Sequence, residues 1–253
     1  MKKAIIAASL MTALSANVQA DTLLGLYIGG QVWANEAKGS FGEGDLDQAV
    51  FDFDVQNQGS YFVAFEHPIP LIPNIKLAST TLDTIGGTQI SSDFTFQGET
   101  YTASTALDTT FDTSYIDYTL YYELFDNDLL TFDFGVTVRD LDADIEMAGE
   151  SLGGVTSSNL SASVVLPMLY VNTIIGLPLT GFSVFAQANA SSYDGSSIYD
   201  YQVGVSYAVL DNLAVDLDIN AGYRASKIEL DDIDDLYTDL TFEGFFAGAT
   251  VHF

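Results

Sequence analysis

The sequence lacks cysteine and has very little positive charge. Without cysteine, the chain forms no disulfide bond and offers neither a thiolate metal site nor a catalytic thiol. Only seven of the 253 residues are Lys or Arg, against 35 Asp and Glu, and the formal net charge is −28. Because nucleic-acid binding depends on basic residues that neutralise phosphates, this balance argues against a nucleic-acid partner.

Long hydrophobic runs are also missing after the first residues. The most apolar later stretch, residues 160–179, is interrupted by Pro167, Asn172 and Gly176 and is rich in β-branched residues. A membrane-spanning helix needs about 20 consecutive apolar residues, so this stretch is predicted to be a strand. Pro167 cannot donate to a strand ladder, and we expect it to mark a bulge. Without a spanning helix, the chain is either soluble or a closed barrel.

Strong acidity can indicate disorder, but the rest of the composition predicts a folded chain. Apolar residues make up 48% of the sequence and aromatic residues 13%. A disordered chain is poor in both classes, because it cannot bury enough apolar surface to offset the entropy of ordering. The acidic residues are therefore expected where water or cations reach them.

The first twenty residues have the three parts of a secretory signal peptide. Residues 2–3 are both lysine, an apolar run covers residues 4–14, and a stretch of small residues ends at Ala20. The apolar run is too short to cross a bilayer as a helix. We predict cleavage between Ala20 and Asp21, which makes residues 21–253 the mature, exported domain.

Apolar and polar residues alternate through most of the chain. From Leu130 to Val138 every second residue is apolar, and the residues between them are polar, charged or glycine. The segments 113–124, 199–209 and 213–224 repeat the pattern, and a period of two predicts strands. These strands are long, and their apolar faces often end in Tyr or Phe. Both features are typical of strands that cross a bilayer between two aromatic girdles.

Short turns and longer polar stretches alternate between the predicted strands, as in outer-membrane barrels, whose short turns face the periplasm. Four turns and five loops predict an all-β, closed, antiparallel barrel of about ten strands. Eight strands are the alternative, if residues 75–83 and 182–190 are loops. Residues 50–55 are expected to extend a strand above the membrane. The predicted strands are 23–34, 58–67, 75–83, 111–124, 129–141, 160–175, 182–190, 198–209, 213–227 and 238–253.

The last strand carries the most specific single signal. Phe245, Val251 and Phe253 lie on one face of an alternating segment that ends the chain. Leu240 and Phe242 are apolar in the opposite phase, so we expect a bulge near residues 243–244. A terminal Phe on such a strand resembles the assembly signal of bacterial outer-membrane barrels.

Together with the signal peptide and the alternation, this resemblance covers the whole chain. The proteins that the chain resembles are small, mostly uncharacterised outer-membrane barrels of Gram-negative bacteria. It implies an outer-membrane location, surroundings of lipid and lipopolysaccharide, and contact with the barrel-assembly machinery through the last strand. It implies no activity, because the resembled proteins are largely uncharacterised.

The inward-facing positions of the predicted strands include several charged residues. Buried arginines need carboxylate partners, because an unpaired buried charge is costly. We therefore predict a charge network and a mostly filled polar lumen. A narrow channel for cations or small polar solutes is the alternative. The predicted network consists of Asp133, Arg139, Asp216, Asp218 and Arg224.

No motif for catalysis, a cofactor or a metal stands out. Acid–base catalysis at the cell surface needs a base near its substrate, but His67 and His252 are both expected at the periplasmic rim. The loops are acidic enough for divalent cations to be considered as partners, although none has the spacing of a calcium-binding loop. We therefore predict a non-enzymatic structural or surface-interaction protein. A lipid-modifying enzyme or protease is the second alternative.

Overall fold

The computed structural model describes residues 24–43, 48–127, 129–151, 154–193, 195–212, 215–233 and 236–253. The predicted signal peptide and its cleavage site between Ala20 and Asp21 lie outside the described residues. The described part of the chain is all-β, and none of it forms a helix that could cross a membrane. Its strands are β1 Gly25–Gly42, β2 Ala49–Phe53, β3 Gln56–Glu66, β4 Asn74–Thr80, β5 Asp83–Gln89, β6 Phe94–Phe96, β7 Glu99–Tyr101, β8 Ala106–Asp112, β9 Tyr115–Asn127, β10 Leu130–Ser151, β11 Gly154–Leu177, β12 Phe182–Tyr193, β13 Ser196–Leu210, β14 Asp216–Ile233 and β15 Leu236–His252.

Ten of these strands close into an antiparallel barrel. The order around the barrel is β1, β3, β4, β9, β10, β11, β12, β13, β14 and β15, and β15 pairs with β1 to complete the ring. The prediction of ten strands is therefore confirmed over the alternative of eight. The two doubtful segments form β4 and β12, and each of these strands pairs with a neighbour on both sides. Closure pairs the first and last strands of the sheet with each other, which matters in hydrocarbon because unsatisfied backbone groups are costly there.

The barrel wall continues beyond the ten-strand ring on one side. β2, β5 and β8 prolong β3, β4 and β9 after short interruptions at residues 54–55, 81–82 and 113–114. They pair in the order β1, β2, β5, β8 and β10, so the wall keeps its strand order. The expected strand extension at residues 50–55 is confirmed for 49–53.

The interpretation of the other acidic stretches as loops is wrong, because most of their residues are paired strand. Residues 142–151, for example, belong to β10 and pair with β11. We call the end of the barrel with these extended strands the long-hairpin rim, and the opposite end the short-turn rim.

A belt of apolar side chains surrounds the ten-strand ring. Along β10 the outward residues are Phe134, Val136 and Val138, after which Asp140 begins a polar stretch. These apolar side chains are largely exposed although they are large, which a soluble protein rarely allows over a continuous surface. Aromatic residues lie toward both edges of the belt, as at membrane interfaces. They include Tyr61, Tyr199, Tyr201, Tyr223 and Phe245 toward the long-hairpin rim, and Phe65, Tyr122, Phe125, Phe182 and Tyr207 toward the short-turn rim.

The last strand crosses without the bulge expected near Glu243. β15 pairs with β1 in unbroken register from Tyr237 to His252. Leu240 and Phe242 point inward and are completely buried, while Phe245 points outward and is 73% exposed. Their opposite phase therefore reflects two apolar environments, an apolar interior near the long-hairpin rim and the outer belt below it.

Pro167 does not mark a bulge either. The ladder between β10 and β11 runs without a register shift from Leu130–Ile175 to Ser151–Gly154. Pro167 lies beyond Leu169, the last residue of β11 that pairs with β12. It thus occupies a segment that is paired on one side only, which is where a strand tolerates a residue without an N–H.

Candidate functional site

The barrel interior has three levels. Beginning from the long-hairpin rim, they are an apolar core, a layer of buried ion pairs, and a polar cavity that reaches toward the short-turn rim. Side chains from several strands contribute to each level, because every second residue of a barrel strand points inward.

The apolar core fills the interior of the half next to the long-hairpin rim. Phe41 stacks on Phe51 with ring centroids 4.7 Å apart, and Phe96 meets Phe41 edge to face at 5.8 Å. Fully buried side chains from at least seven strands join them, as in the core of a soluble protein and unlike the lining of a pore. The largest of these are Trp33, Phe41, Phe51, Phe96, Tyr101, Leu107, Ile145, Met147, Leu240 and Phe242. This corrects the expectation of a polar lumen for this half of the barrel.

A layer of ion pairs lies directly beneath the core. Arg139 Nε and Nη2 donate to the two carboxylate oxygens of Asp117, both at 2.8 Å. Arg224 forms the same bidentate pair with Asp200, with donor–acceptor distances of 3.0 and 2.7 Å. Arg139 also reaches Asp200 at 3.4 Å, which links the two pairs. Paired in this manner, two buried cations and two buried anions neutralise one another.

Aromatic residues complete this layer. The hydroxyl of Tyr115 donates to Asp200 at 2.6 Å and accepts from Arg224 at 2.8 Å. The guanidinium of Arg139 lies 3.6 Å from the centre of the Tyr115 ring, and that of Arg224 lies 4.8 Å from the Trp33 ring. These cation–π contacts join the charged layer to the apolar core above it.

The strand register explains these partners. Arg139 and Asp117 face one another directly across β10 and β9. Arg224 on β14 lies opposite Gln202 on β13, two residues from Asp200 on the same inward face. Both arginines of the predicted network are therefore in it, but the predicted carboxylates are not their partners. Asp117 and Asp200 are inward-facing in the sequence pattern, yet only the register shows which strand each arginine meets.

The three predicted carboxylates lie closer to the short-turn rim. Asp133 is buried and accepts a hydrogen bond from Asn172 at 2.9 Å. Asp216 lies 3.4 Å from the imidazole Nδ1 of His252. Asp218 lines the polar cavity.

The polar cavity has a volume of about 330 Å³. It extends from Asp126 near the short-turn rim to Asp200 and Arg224 in the ion-pair layer. Its single lysine, Lys76, donates to Gln187 at 2.7 Å and lies over the ring of Phe62, 4.6 Å from its centre. The cavity is therefore closed at one end by the ion-pair layer and is lined by carboxylates, amides and aromatic rings.

Both histidines lie at the short-turn rim. His252, next to the chain end, stacks on Tyr27 with ring centroids 4.1 Å apart, and His67 follows β3. Among the described residues, no group of three or more His, Asp or Glu side chains is arranged to hold a metal ion. Neither observation brings a catalytic group to the long-hairpin rim.

One exposed ion pair beyond the belt contrasts with the buried layer. Lys227 Nζ lies 3.0 Å from Glu229 Oε2, on the part of β14 nearer the long-hairpin rim. The ammonium group lowers the pKa of the Glu229 carboxyl, and the same bond raises the pKa of Lys227. The Glu229 side chain is 43% exposed and that of Lys227 is 21% exposed, so water partly screens this attraction.

No protein-family model and no curated protein sequence matches the chain. Solved structures do. The outer-membrane protease OmpT from Escherichia coli superposes with a TM-score of 0.52 at 10% identity, over 91% of this chain and 96% of that one. Ail of Yersinia pestis gives a TM-score of 0.36 at 11% identity over 90% and 99% of the two chains, and Neisserial surface protein A gives 0.31 at 15% over 89% and 96%. The likeness to OmpT shows a shared barrel fold, and the closed ring with its apolar belt fits a membrane-spanning barrel.

The chain is a transmembrane β-barrel of the bacterial outer membrane. In such barrels the short turns face the periplasm and the long hairpins face outward. The apolar core and the acidic hairpins of this outer-membrane barrel therefore lie on the extracellular side, and its polar cavity lies toward the periplasm.

Proposed function

We propose that this outer-membrane barrel is non-conducting and non-enzymatic and acts through the rigid β-structure that it displays outside the cell. The observation that carries the proposal is the apolar core around Trp33, Phe41 and Phe242, which fills the extracellular half of the interior. An ion or polar solute would have to pass between closely packed rings and then through a layer of paired charges. Both steps remove its hydration without replacing it.

The same core supports a role for the extracellular part. Here β2, β5 and β8 pair into the wall, and Phe51, Phe111 and Ile145 fill the space inside it. A surface held in one shape loses little conformational entropy on binding, which favours recognition of a partner.

A narrow channel is the second candidate, and the polar cavity is the observation that favours it. The cavity has a polar lining and reaches from the short-turn rim to the ion-pair layer. Planar-bilayer recording of the refolded protein separates the two functions. We expect no discrete conductance steps, and reproducible cation-selective steps would overturn the proposal.

Cysteine labelling gives an independent test, since the natural chain has no cysteine to interfere. Asn220→Cys places a thiol in the cavity, and Thr95→Cys places one on the exposed extracellular surface. A charged maleimide added to intact cells should label Thr95→Cys only, whereas the purified protein in micelles should be labelled at both positions. Rapid labelling of Asn220→Cys through the outer face of the purified barrel, when reconstituted with its periplasmic face enclosed, would contradict a sealed interior.

OmpT is an outer-membrane protease, and proteolysis is the third candidate function. Two facts argue for the non-enzymatic proposal. Both histidines lie at the periplasmic rim, and the extracellular half of the interior is packed with side chains instead of forming a substrate cleft. A fluorogenic peptide assay on the refolded protein tests this part: hydrolysis that the His67→Ala and His252→Ala variants abolish would replace the proposal with an enzymatic function.

A further inference from the structure

The hairpin of β10 and β11 rises above its neighbour on one side of the barrel. β11 spans Gly154–Leu177, but β12 pairs with it only from Leu169 to Leu177. Among the described strands, none pairs with the other edge of β11 between Val155 and Met168. This segment, which we call the open edge, therefore presents a row of backbone donors and acceptors beside the short hairpin of β12 and β13.

Proteins usually protect such an edge from other chains with charged residues, bulges or very short strands. The open edge has none of these protections along most of its length. In a chain with 35 acidic residues, the stretch from Val155 to Leu166 contains no charged residue, no proline and no glycine. It consists of Val, Thr, Ser, Asn, Leu and Ala, and its ladder with β10 is regular. The edge is therefore in a form that accepts another strand.

The two faces of β11 differ in what they would offer to an added strand. On the inner face, Leu160 and Leu166 are half-buried and pack against the apolar core. On the outer face, Ser157, Ser161 and Ser163 are exposed and short. An added strand would thus cover apolar surface on one face and find little steric obstruction on the other.

A row of carboxylates lies one strand further back on the outer face. Asp140, Asp142, Asp144 and Glu146 of β10 occupy every second position, about 7 Å apart. In register with them on β11 are Val165, Ser163, Ser161 and Asn159. Among the described residues, no lysine or arginine lies within 4 Å of any of these four carboxylates.

We infer that the open edge of β11 binds an extended, basic segment of another protein by strand addition. This inference rests on the proposed surface-interaction function and names its partner class. Backbone hydrogen bonds to the edge supply affinity that is independent of sequence. Lys or Arg at alternate positions of the partner pass over the short serines and meet the carboxylates of β10, which supplies specificity.

The experiment uses the full chain, refolded in uncharged detergent micelles, and a fluorescent ten-residue peptide of alternating Lys and Thr. The control peptide has the same sequence but is N-methylated on the amides of both strand edges. It therefore keeps its charge and cannot form backbone hydrogen bonds with β11. We expect the control to bind at least about tenfold more weakly, since it loses the backbone bonds of strand addition. Equal binding of both peptides would overturn the inference, because it would show attraction by charge alone.

Matched variants test the carboxylate row. Asp142→Asn, Asp144→Asn and Glu146→Gln are combined in one protein, and Asp83→Asn, Glu99→Gln and Asp108→Asn in a control with the same change in net charge. All six side chains are exposed. The first protein should lose about tenfold in affinity and most of its salt dependence, and the control should lose less than about twofold. Equal losses in the two proteins would contradict the placement of the site.

Cysteine cross-linking locates the partner strand. Ser163→Cys lies on the open edge, whereas Thr241→Cys lies on β15, which is paired on both sides. A peptide with one central Cys should form a disulfide with the first variant and not with the second. Equal reaction at both would overturn the inference, and a Ser163→Cys disulfide between two barrels that excludes the peptide would make a second copy the occupant instead. If the barrel binds the peptide and also conducts ions, the inference stands and the proposed non-conducting function is wrong. If the barrel neither conducts ions nor binds the peptide, the inference is wrong and the proposed function stands.

Discussion

Arg224 and Asp200 form a two-pronged ion pair inside the barrel, with N–O distances of 3.0 and 2.7 Å. Both side chains are almost fully buried, and they lie where the polar cavity ends and the apolar core begins. Asp200 also contacts Arg139 and Tyr115, so a single carboxylate connects four strands. This makes Asp200 the residue on which the charge balance of the layer depends.

Replacing Asp200 by Ala should strongly destabilise the barrel. It leaves Arg224 without its carboxylate and Arg139 with only Asp117, and breaking a buried ion pair costs about 3–5 kcal/mol. Urea titration of the refolded protein, followed by tryptophan fluorescence, measures the free energy of unfolding. Glu229→Ala removes a carboxylate from the exposed pair with Lys227 and should cost less than about 1 kcal/mol. Similar losses of unfolding free energy in the two variants would show that Asp200 does not stabilise the layer through its buried ion pairs.

Phe242 and Phe245 provide a matched pair on one strand. Phe242 is completely buried in the extracellular core, whereas Phe245 is 73% exposed on the outer belt. Phe242→Ala should lower the free energy of unfolding by about 3–5 kcal/mol, because it opens a cavity in a packed interior. Phe245→Ala opens no cavity, since lipid fills the space, and should cost clearly less. The same urea titration checks both, and a larger loss for Phe245→Ala would mean that the extracellular interior is not packed.

The terminal Phe253 should matter for assembly in the cell more than for stability. Its backbone N–H donates to Leu26 and its carbonyl accepts from Leu26, at 3.0 and 3.3 Å, and these bonds do not depend on its side chain. Phe253→Ala should therefore refold in detergent like the natural chain. In cells, the amount recovered in the outer-membrane fraction should fall several-fold, if Phe245, Val251 and Phe253 are recognised by the assembly machinery. An unchanged amount of the variant in the outer-membrane fraction would contradict the prediction that Phe253 belongs to an assembly signal.

Mass spectrometry of the protein purified from outer membranes should show a chain that begins at Asp21. The signal-peptide pattern predicts this, with a short apolar run followed by small residues that end at Ala20. Ala20→Arg should slow processing, because the peptidase accepts small residues at that position, and the precursor should accumulate. A mature chain that retains Met1 would disprove the predicted export signal.

The sequence by itself determined that the chain is an alternating all-β barrel, and it favoured ten strands over the alternative of eight. Alternation with a period of two is local, and it follows directly from a strand that faces lipid on one side and the interior on the other. The spacing of turns then gave the ten strands, including the segments that became β4 and β12. The aromatic residues at the ends of the apolar faces are also visible in the sequence pattern alone.

Only the tertiary structure decided what fills the barrel and which charges meet. Leu240 and Phe242 are as apolar as Phe245, and alternation cannot distinguish a residue that faces lipid from one that faces an apolar interior. The partners of Arg139 and Arg224 depend on the register between strands that are far apart in sequence. The open edge of β11 depends on where a different strand, β12, stops pairing. Each of these is a relation between distant segments, and it becomes fixed only when the sheet closes.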